Sequence, residues 1–340
     1  MSRLTGLAVA LALGSRSLAA APLETPPDQR RAGDQTFLTG PEWFLVFSPA
    51  EFADYINGHP PSGFPFYGHI RQFWQGYHDV ATATGQYPVN YEYHVMIWVI
   101  GVSTTIEYAV KGLYEGIVGR FTEQVAGKPD TAEDRLAERV AQDYVAFIKK
   151  RPWYEFDFMT PLKSVWRETG LWGDKPFRKW ERKYFLTSEY MLKAVYGWVL
   201  GKATRASYDV PIGRTFIIAD GIPGDHAAWP TDVKLEQDGE NGAALISLPR
   251  YQAFTDAATA LAAEGLTFRE IAGNRGDILV SIVAPYSVAP ELGGRLLYSQ
   301  PILTKAGLKR FALIYQVADL APALRGFAKS GITVEHIYDF

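Results

Sequence analysis

Two stretches of the chain, 105–122 and 187–204, overlay without a gap, and a fold built from such a sequence must place the same helix twice. The first reads TIEYAVKGLYEGIVGRFT and the second TSEYMLKAVYGWVLGKAT. Thr105, Glu107, Tyr108, Lys111, Tyr114, Gly119 and Thr122 return as Thr187, Glu189, Tyr190, Lys193, Tyr196, Gly201 and Thr204. Val110, Gly112, Leu113, Ile117, Val118 and Arg120 are replaced by close relatives. Upstream the correspondence resumes at another offset: Pro60, Phe64, Phe66, Ile70, Arg71, Phe73 and Trp74 match Pro152, Phe156, Phe158, Leu162, Lys163, Val165 and Trp166. Duplication of one helical unit is the reading that follows, with copies over 48–122 and 131–204.

On a helix, Glu107, Lys111, Tyr114 and Val118 fall on one stripe, and Glu189, Lys193, Tyr196 and Leu200 repeat it. Glutamate four residues ahead of lysine is the favourable order for a helical ion pair. Because the stripe recurs, Glu107, Lys111, Tyr114, Glu189, Lys193 and Tyr196 read as a structural polar set rather than catalytic groups. The Gly112 and Gly116 spacing predicts a close backbone approach. The two helices are expected to pack on each other or to occupy equivalent places about a pseudo-twofold axis. The apolar run 95–106 has the length of a buried core helix rather than of a membrane span.

The remaining chain divides by pattern. Residues 1–21 begin with Arg3, continue through an apolar stretch and end in Ala19-Ala20-Ala21, the outline of a signal peptide or short anchor. Residues 22–47 read as an extended lead-in, and Ser48-Pro49-Ala50-Glu51 as a capped helix start opening a duplicated helical domain over 48–205. A helix capped by Asp130 or Thr131 opens the second copy. From 206 to 340 strands dominate, and their alternation with two helices over 241–340 resembles a ferredoxin-like sandwich in element order alone. The expected fold class is therefore α+β, with an all-α N-terminal domain.

Function is sought in what only one copy contains. His59, His69, His78, Asp79, Glu92 and His94 all lie in the first copy, and the second copy has no histidine. Imidazole with carboxylate suits zinc, iron or haem, so His78 and His94 are the candidate cofactor ligands, with Asp79 and Glu92 joining them for a metal ion. Absence of cysteine excludes thiolate sites and c-type haem attachment. A net charge of −3, with no basic run, argues against nucleic acid as a partner. No phosphate loop, GxSxG or HExxH motif is present. The leading expectation is an exported, periplasmic or envelope protein without catalytic activity that binds a partner protein, a membrane surface or an apolar ligand. The alternative is a metal- or haem-dependent oxidoreductase with its site in the first helical copy.

Overall fold

The computed structural model describes residues 22–127, 130–207, 213–222, 229–230, 232–287 and 293–339. The expected signal segment lies outside them. The described residues combine N-terminal helices with two four-stranded antiparallel sheets.

Helix α1 spans Gln35–Ile56 and contains Pro41 and Pro49. It thus begins inside the stretch expected to be an extended lead-in, and Ser48-Pro49 lies in its fourth turn rather than at its start. Each internal proline removes a helical hydrogen bond and crowds the preceding turn. Burial of Phe37, Leu38, Trp43, Phe44 and Phe47 against one sheet and the next helix compensates, at ~1.5–3 kcal/mol for each large side chain removed from water. The helix α2, Phe66–Ala83, follows, then α3, Tyr91–Tyr114, whose Asn90 cap accepts from the Tyr93 amide. A five-residue π turn, Glu115–Gly119, carries α3 into α4, Arg120–Ala126. Helix α5, Ala132–Ile148, starts at a capping box in which Thr131 and Asp134 satisfy one another's backbone amides. Helices α6, Met159–Arg167, and α7, Pro176–Ser207, complete the helical region.

The strands are β1 Arg214–Asp220, β2 Lys234–Asp238, β3 Ala243–Pro249, β4 Thr267–Ile271, β5 Asp277–Pro285, β6 Arg295–Pro301, β7 Leu308–Gln316 and β8 Thr333–Ile337. Helix α8, Gln252–Ala263, precedes β4, and α9, Val317–Lys329, precedes β8. A ferredoxin-like sandwich over 241–340 would join β3, β4 and β5 in one sheet. The structure instead divides that stretch between sheets of order β2-β3-β1-β4 and β6-β7-β5-β8. The reason lies in β1 and β2, which stand before residue 241 and recruit β3 and β4: β1 pairs with β3 from Arg214 to Asp220 and with β4 along its other edge. Three strands, a helix and a strand therefore occur twice, with the same strand order. Helix α9 lies against β4 and α8 against β8, so each helix reaches the last strand of the other half.

The second sheet is covered on both faces, and period-two alternation sorts its side chains between them. Phe311, Leu313 and Tyr315 enter the core shared with α8, α9 and the first sheet. Ala312 and Ile314, with Leu279 and Tyr338, face Phe37, Phe44, Phe47 and Phe73 of α1 and α2. Arg310 on β7 ties this junction, reaching Glu51 of α1 at 2.9 Å and Glu335 of β8 at 2.8 Å.

Candidate docking surface

Helices α3 and α7 meet through charge. Lys111 Nζ lies 2.8 Å from Glu107 and 2.6 Å from Glu189. Lys193 Nζ lies 3.0 Å from Glu189 and 3.3 Å from Glu107. Each ammonium thus touches both carboxylates. Further along, Arg182 makes a fork-to-fork pair with Glu115 at 2.9 and 3.1 Å, and Arg178 reaches Asp134 at 2.7 Å, Glu181 at 3.3 Å and Glu123 at 3.5 Å. Since 111 meets 189 and 115 meets 182, the two helices run antiparallel. Lys179 pairs with Glu133, and Lys183 donates to the carbonyls of Val165 and Thr169. Arg178, Lys179, Arg182 and Lys183 are all buried.

Such groups survive in an interior only when paired and hydrogen-bonded. Burial opposes ionisation of Glu189, but Lys111 and Lys193 outweigh it and hold its carboxyl down at about 2. Glu107 is lowered in the same way, and the two carboxylates overcome burial to raise Lys193. Tyr114 stacks on Phe185 at 4.8 Å, and Tyr196 on Trp153 at 5.5 Å. Gly119 makes room for this spine: a Cβ there would stand 2.3 Å from Glu115 Oε2.

The opposite sides of the same helices carry what an interior normally holds. From Val95 to Val125 every exposed residue is apolar or glycine except Arg120 and Gln124. From Phe177 to Lys202 of α7 every exposed residue is apolar or aromatic except Ser188 and Lys202. Val110 is 62% exposed and Leu192 70%, Leu113 59% and Val195 57%, Ile117 63% and Val199 47%. Members of each pair stand at matching positions of the two similar sequences, as do Trp98 and Trp180, also exposed. The expectation that 95–106 forms a buried core helix is corrected: only Ile97, Gly101 and Thr104 of that run are buried. Its charged neighbours took the inner side, because each had a partner there and none outside. Contiguous apolar patches of this extent mark interaction or membrane surfaces.

The glycine spacing serves other purposes than the predicted approach of two backbones. A Cβ at Gly112 would meet Phe66 Cβ at 3.2 Å and Tyr67 Cε2 at 3.1 Å, both on α2, and one at Gly116 would meet nothing within 4 Å.

The candidate ligands of the first copy do not converge. His78 and Glu92 are exposed, Asp79 is half-buried, and His94 Nδ1 is 3.0 Å from the Tyr77 hydroxyl. Among the described residues no group of three or more His, Cys, Asp or Glu is placed to hold a metal ion. His59 stacks on Tyr55. His69 is buried, with Nδ1 2.9 Å from Ser48 Oγ, which lies 2.7 Å from the Tyr108 hydroxyl; its Nε2 is 3.6 Å from Glu51. This serine–histidine–glutamate cluster was not foreseen, since its members sit on different helices and Ser48 resembled a cap. It is sealed inside the helical packing, where no substrate reaches the hydroxyl.

Among the described residues no helix is long and apolar enough to cross a membrane. No family model, curated protein or solved structure matches the chain.

Proposed function

We propose that the protein is a non-catalytic, membrane-surface protein that lies on a lipid bilayer through the outer sides of α3 and α7, which are equivalent helices of a duplicated unit. The observation that carries the reading is the exposure of apolar residues at matching positions of both helices, with Glu107, Lys111, Glu189 and Lys193 turned inward. Two copies that keep the same outward side apolar share a task at that side, not merely a packing solution.

The composition of the surface favours lipid. Trp98, Trp180 and Trp198 of α3 and α7 are exposed, with Tyr91 and Tyr184, and these rings partition to the boundary between headgroups and hydrocarbon. The aliphatic centre provides the part that sinks below it. One-sidedness favours lying in the plane of the bilayer: the inner sides of α3 and α7 are occupied by ion pairs and by α1, α2 and α5. The apolar beginning of the sequence, read as a signal or anchor, agrees with an envelope location.

Flotation of the full chain with phosphatidylcholine vesicles tests the proposal. The wild type is expected to float with lipid, and Leu113→Asp/Val195→Asp to stay behind with an unchanged circular-dichroism spectrum. A wild type that remains in solution, or a double variant that floats equally, would overturn it.

A further inference from the structure

The apolar surface has a charge pattern of its own. Arg120 and Lys202 are its exposed cations, and they occupy matching positions of the two similar sequences. Because α3 and α7 run antiparallel, that match places them at opposite ends of the face. The pairing of Lys111 with Glu189 and of Arg178 with the Gly119 carbonyl sets the register. In that register Arg120 lies toward the Trp180 end of α7, and Lys202 toward the Trp98 end of α3. At its own end the Lys202 ammonium sits over the Trp198 ring, 4.0 Å from its centroid. From Trp98 to Arg120 the helix rises about 33 Å, and the exposed side chains between them are aliphatic or glycine. Neither cation has an acidic partner among the described residues, in contrast to Arg178, Lys179, Arg182, Lys111 and Lys193 on the inner side.

Resting on the docking reading above, we infer that the face selects anionic phospholipid headgroups, with Arg120 and Lys202 as its two headgroup contacts. A long cationic side chain beside tryptophan on the rim of an apolar face lets its stem lie against acyl chains while its head stays at phosphate level. The attraction must be local, because the whole chain carries −3 and its net field opposes an anionic surface. Spreading the two cations to opposite ends also levels the face: each end is drawn to the headgroups, so both helices lie in the membrane plane.

Each cation held near an anionic surface strengthens binding about fivefold, and two give about thirtyfold. The test is partition of the full chain onto vesicles of pure phosphatidylcholine and onto vesicles with about 30% phosphatidylglycerol, a composition in the range where such basic contacts act. The wild type is expected to bind the mixed vesicles about thirtyfold more tightly than the neutral ones, with the gain fading at high salt. Arg120→Gln/Lys202→Gln is expected to bind both vesicles as the wild type binds the neutral ones. A control of equal charge change on the strands and α9, Lys234→Gln/Lys329→Gln, is expected to keep the gain. Equal binding of the wild type to both vesicles, a gain retained by the Arg120/Lys202 variant, or a gain lost by the control overturns the headgroup assignment and leaves docking intact. A wild type that does not bind the neutral vesicles overturns docking itself, and the inference with it.

Discussion

Two helix pairs in this molecule solve opposite problems. Helices α8 and α9 turn Phe254, Ala258 and Leu261, and Leu320, Leu324 and Phe327, into the core between the sheets. Helices α3 and α7 turn Glu107, Lys111, Glu189, Lys193 and Arg182 inward and leave Val110, Leu113, Leu192 and Val195 outside. Both pairs show helical periodicity. A stripe's period says that a helix is two-sided, and its surroundings decide which side is in. For α8 and α9 the surroundings are two apolar sheet faces. For α3 and α7 they are each other's charges, and apolar residues were left outside where ion pairs filled the inside.

The same substitution on the two pairs separates them most sharply. Phe327→Asp places a carboxylate where 2% of the side chain is exposed, removing a large apolar group as well as burying a charge. A loss of more than about 4 kcal/mol is expected, seen as failure to give a cooperative thermal transition. Leu113→Asp, at a position 59% exposed, is expected to leave that transition within about 0.5 kcal/mol of the wild type. If Leu113→Asp unfolds the protein instead, the α3/α7 surface is a packed interface and not a free one.

Next in size is the charged interior. Arg182→Met leaves Glu115 buried without its guanidinium and Glu181 with Arg178 alone, at a cost of about 3–5 kcal/mol. Urea denaturation measures it. Arg182→Met/Glu115→Leu, which removes both charges of the fork, is expected to recover part of the loss. Recovery distinguishes an uncompensated charge from lost packing.

Acid sharpens the comparison further, since buried groups of the helical region titrate in staggered, overlapping windows. Burial, with Arg310 nearby, pushes the His69 imidazole down to about 3. An unfolded chain takes up that proton below about 6.5, whereas the fold resists it until about 3. The stability from neutral His69 is therefore complete above 6.5 and drains away as pH falls toward 3, by on the order of 3 kcal/mol near pH 4. His336, lowered by burial against Trp43, acts in the same direction. Glu189 runs lower: its stabilisation is complete above the ordinary carboxyl range and drains away as pH falls from there toward about 2. Stability curves from pH 7 to 4 are expected to be shallower for His69→Gln than for the wild type. Parallel curves would show that His69 does not hold the neutral state described.

Sequence reading reached the helical region and the strand-rich region. It missed direction. Nothing in the run 95–106 distinguishes a core helix from one whose apolar side is exposed, except that Glu107 and Lys111 return as Glu189 and Lys193, a repeated charge pair that needs burial or a reason to repeat. The start of α1 was hidden by Pro41 and Pro49, which argue locally for breaks and are overruled by five buried aromatic and aliphatic side chains on the sheet face. The two-sheet arrangement was hidden because the strand assignment over 241–340 looked complete without β1 and β2. The Ser48–His69–Glu51 cluster joins α1 to α2 through space and leaves no spacing signature.

The smallest effects test whether α3 is packed on one side and open on the other at the level of single methyl groups. A Cβ at Gly101 would lie 2.3 Å from Phe73 Cε1 and 2.9 Å from Trp74 Cη2, inside the packing of α3 on α2. Both rings are held by neighbours, Phe73 against Phe44 at 5.4 Å and Trp74 against Trp98 at 5.2 Å. Gly101→Ala therefore forces the helices apart, and a loss of about 1–3 kcal/mol is expected. Gly116, on the outer side, has nothing within 4 Å of where its Cβ would stand, and its backbone is helical. Gly116→Ala lowers the entropy of the unfolded chain without a clash and is expected to stabilise by about 0.5–1 kcal/mol. Opposite signs for two glycines on one continuous helical segment, read from thermal denaturation, would locate the boundary between the packed and the open side. Two losses would mean that the outer side is also covered, by a contact this fold does not itself supply.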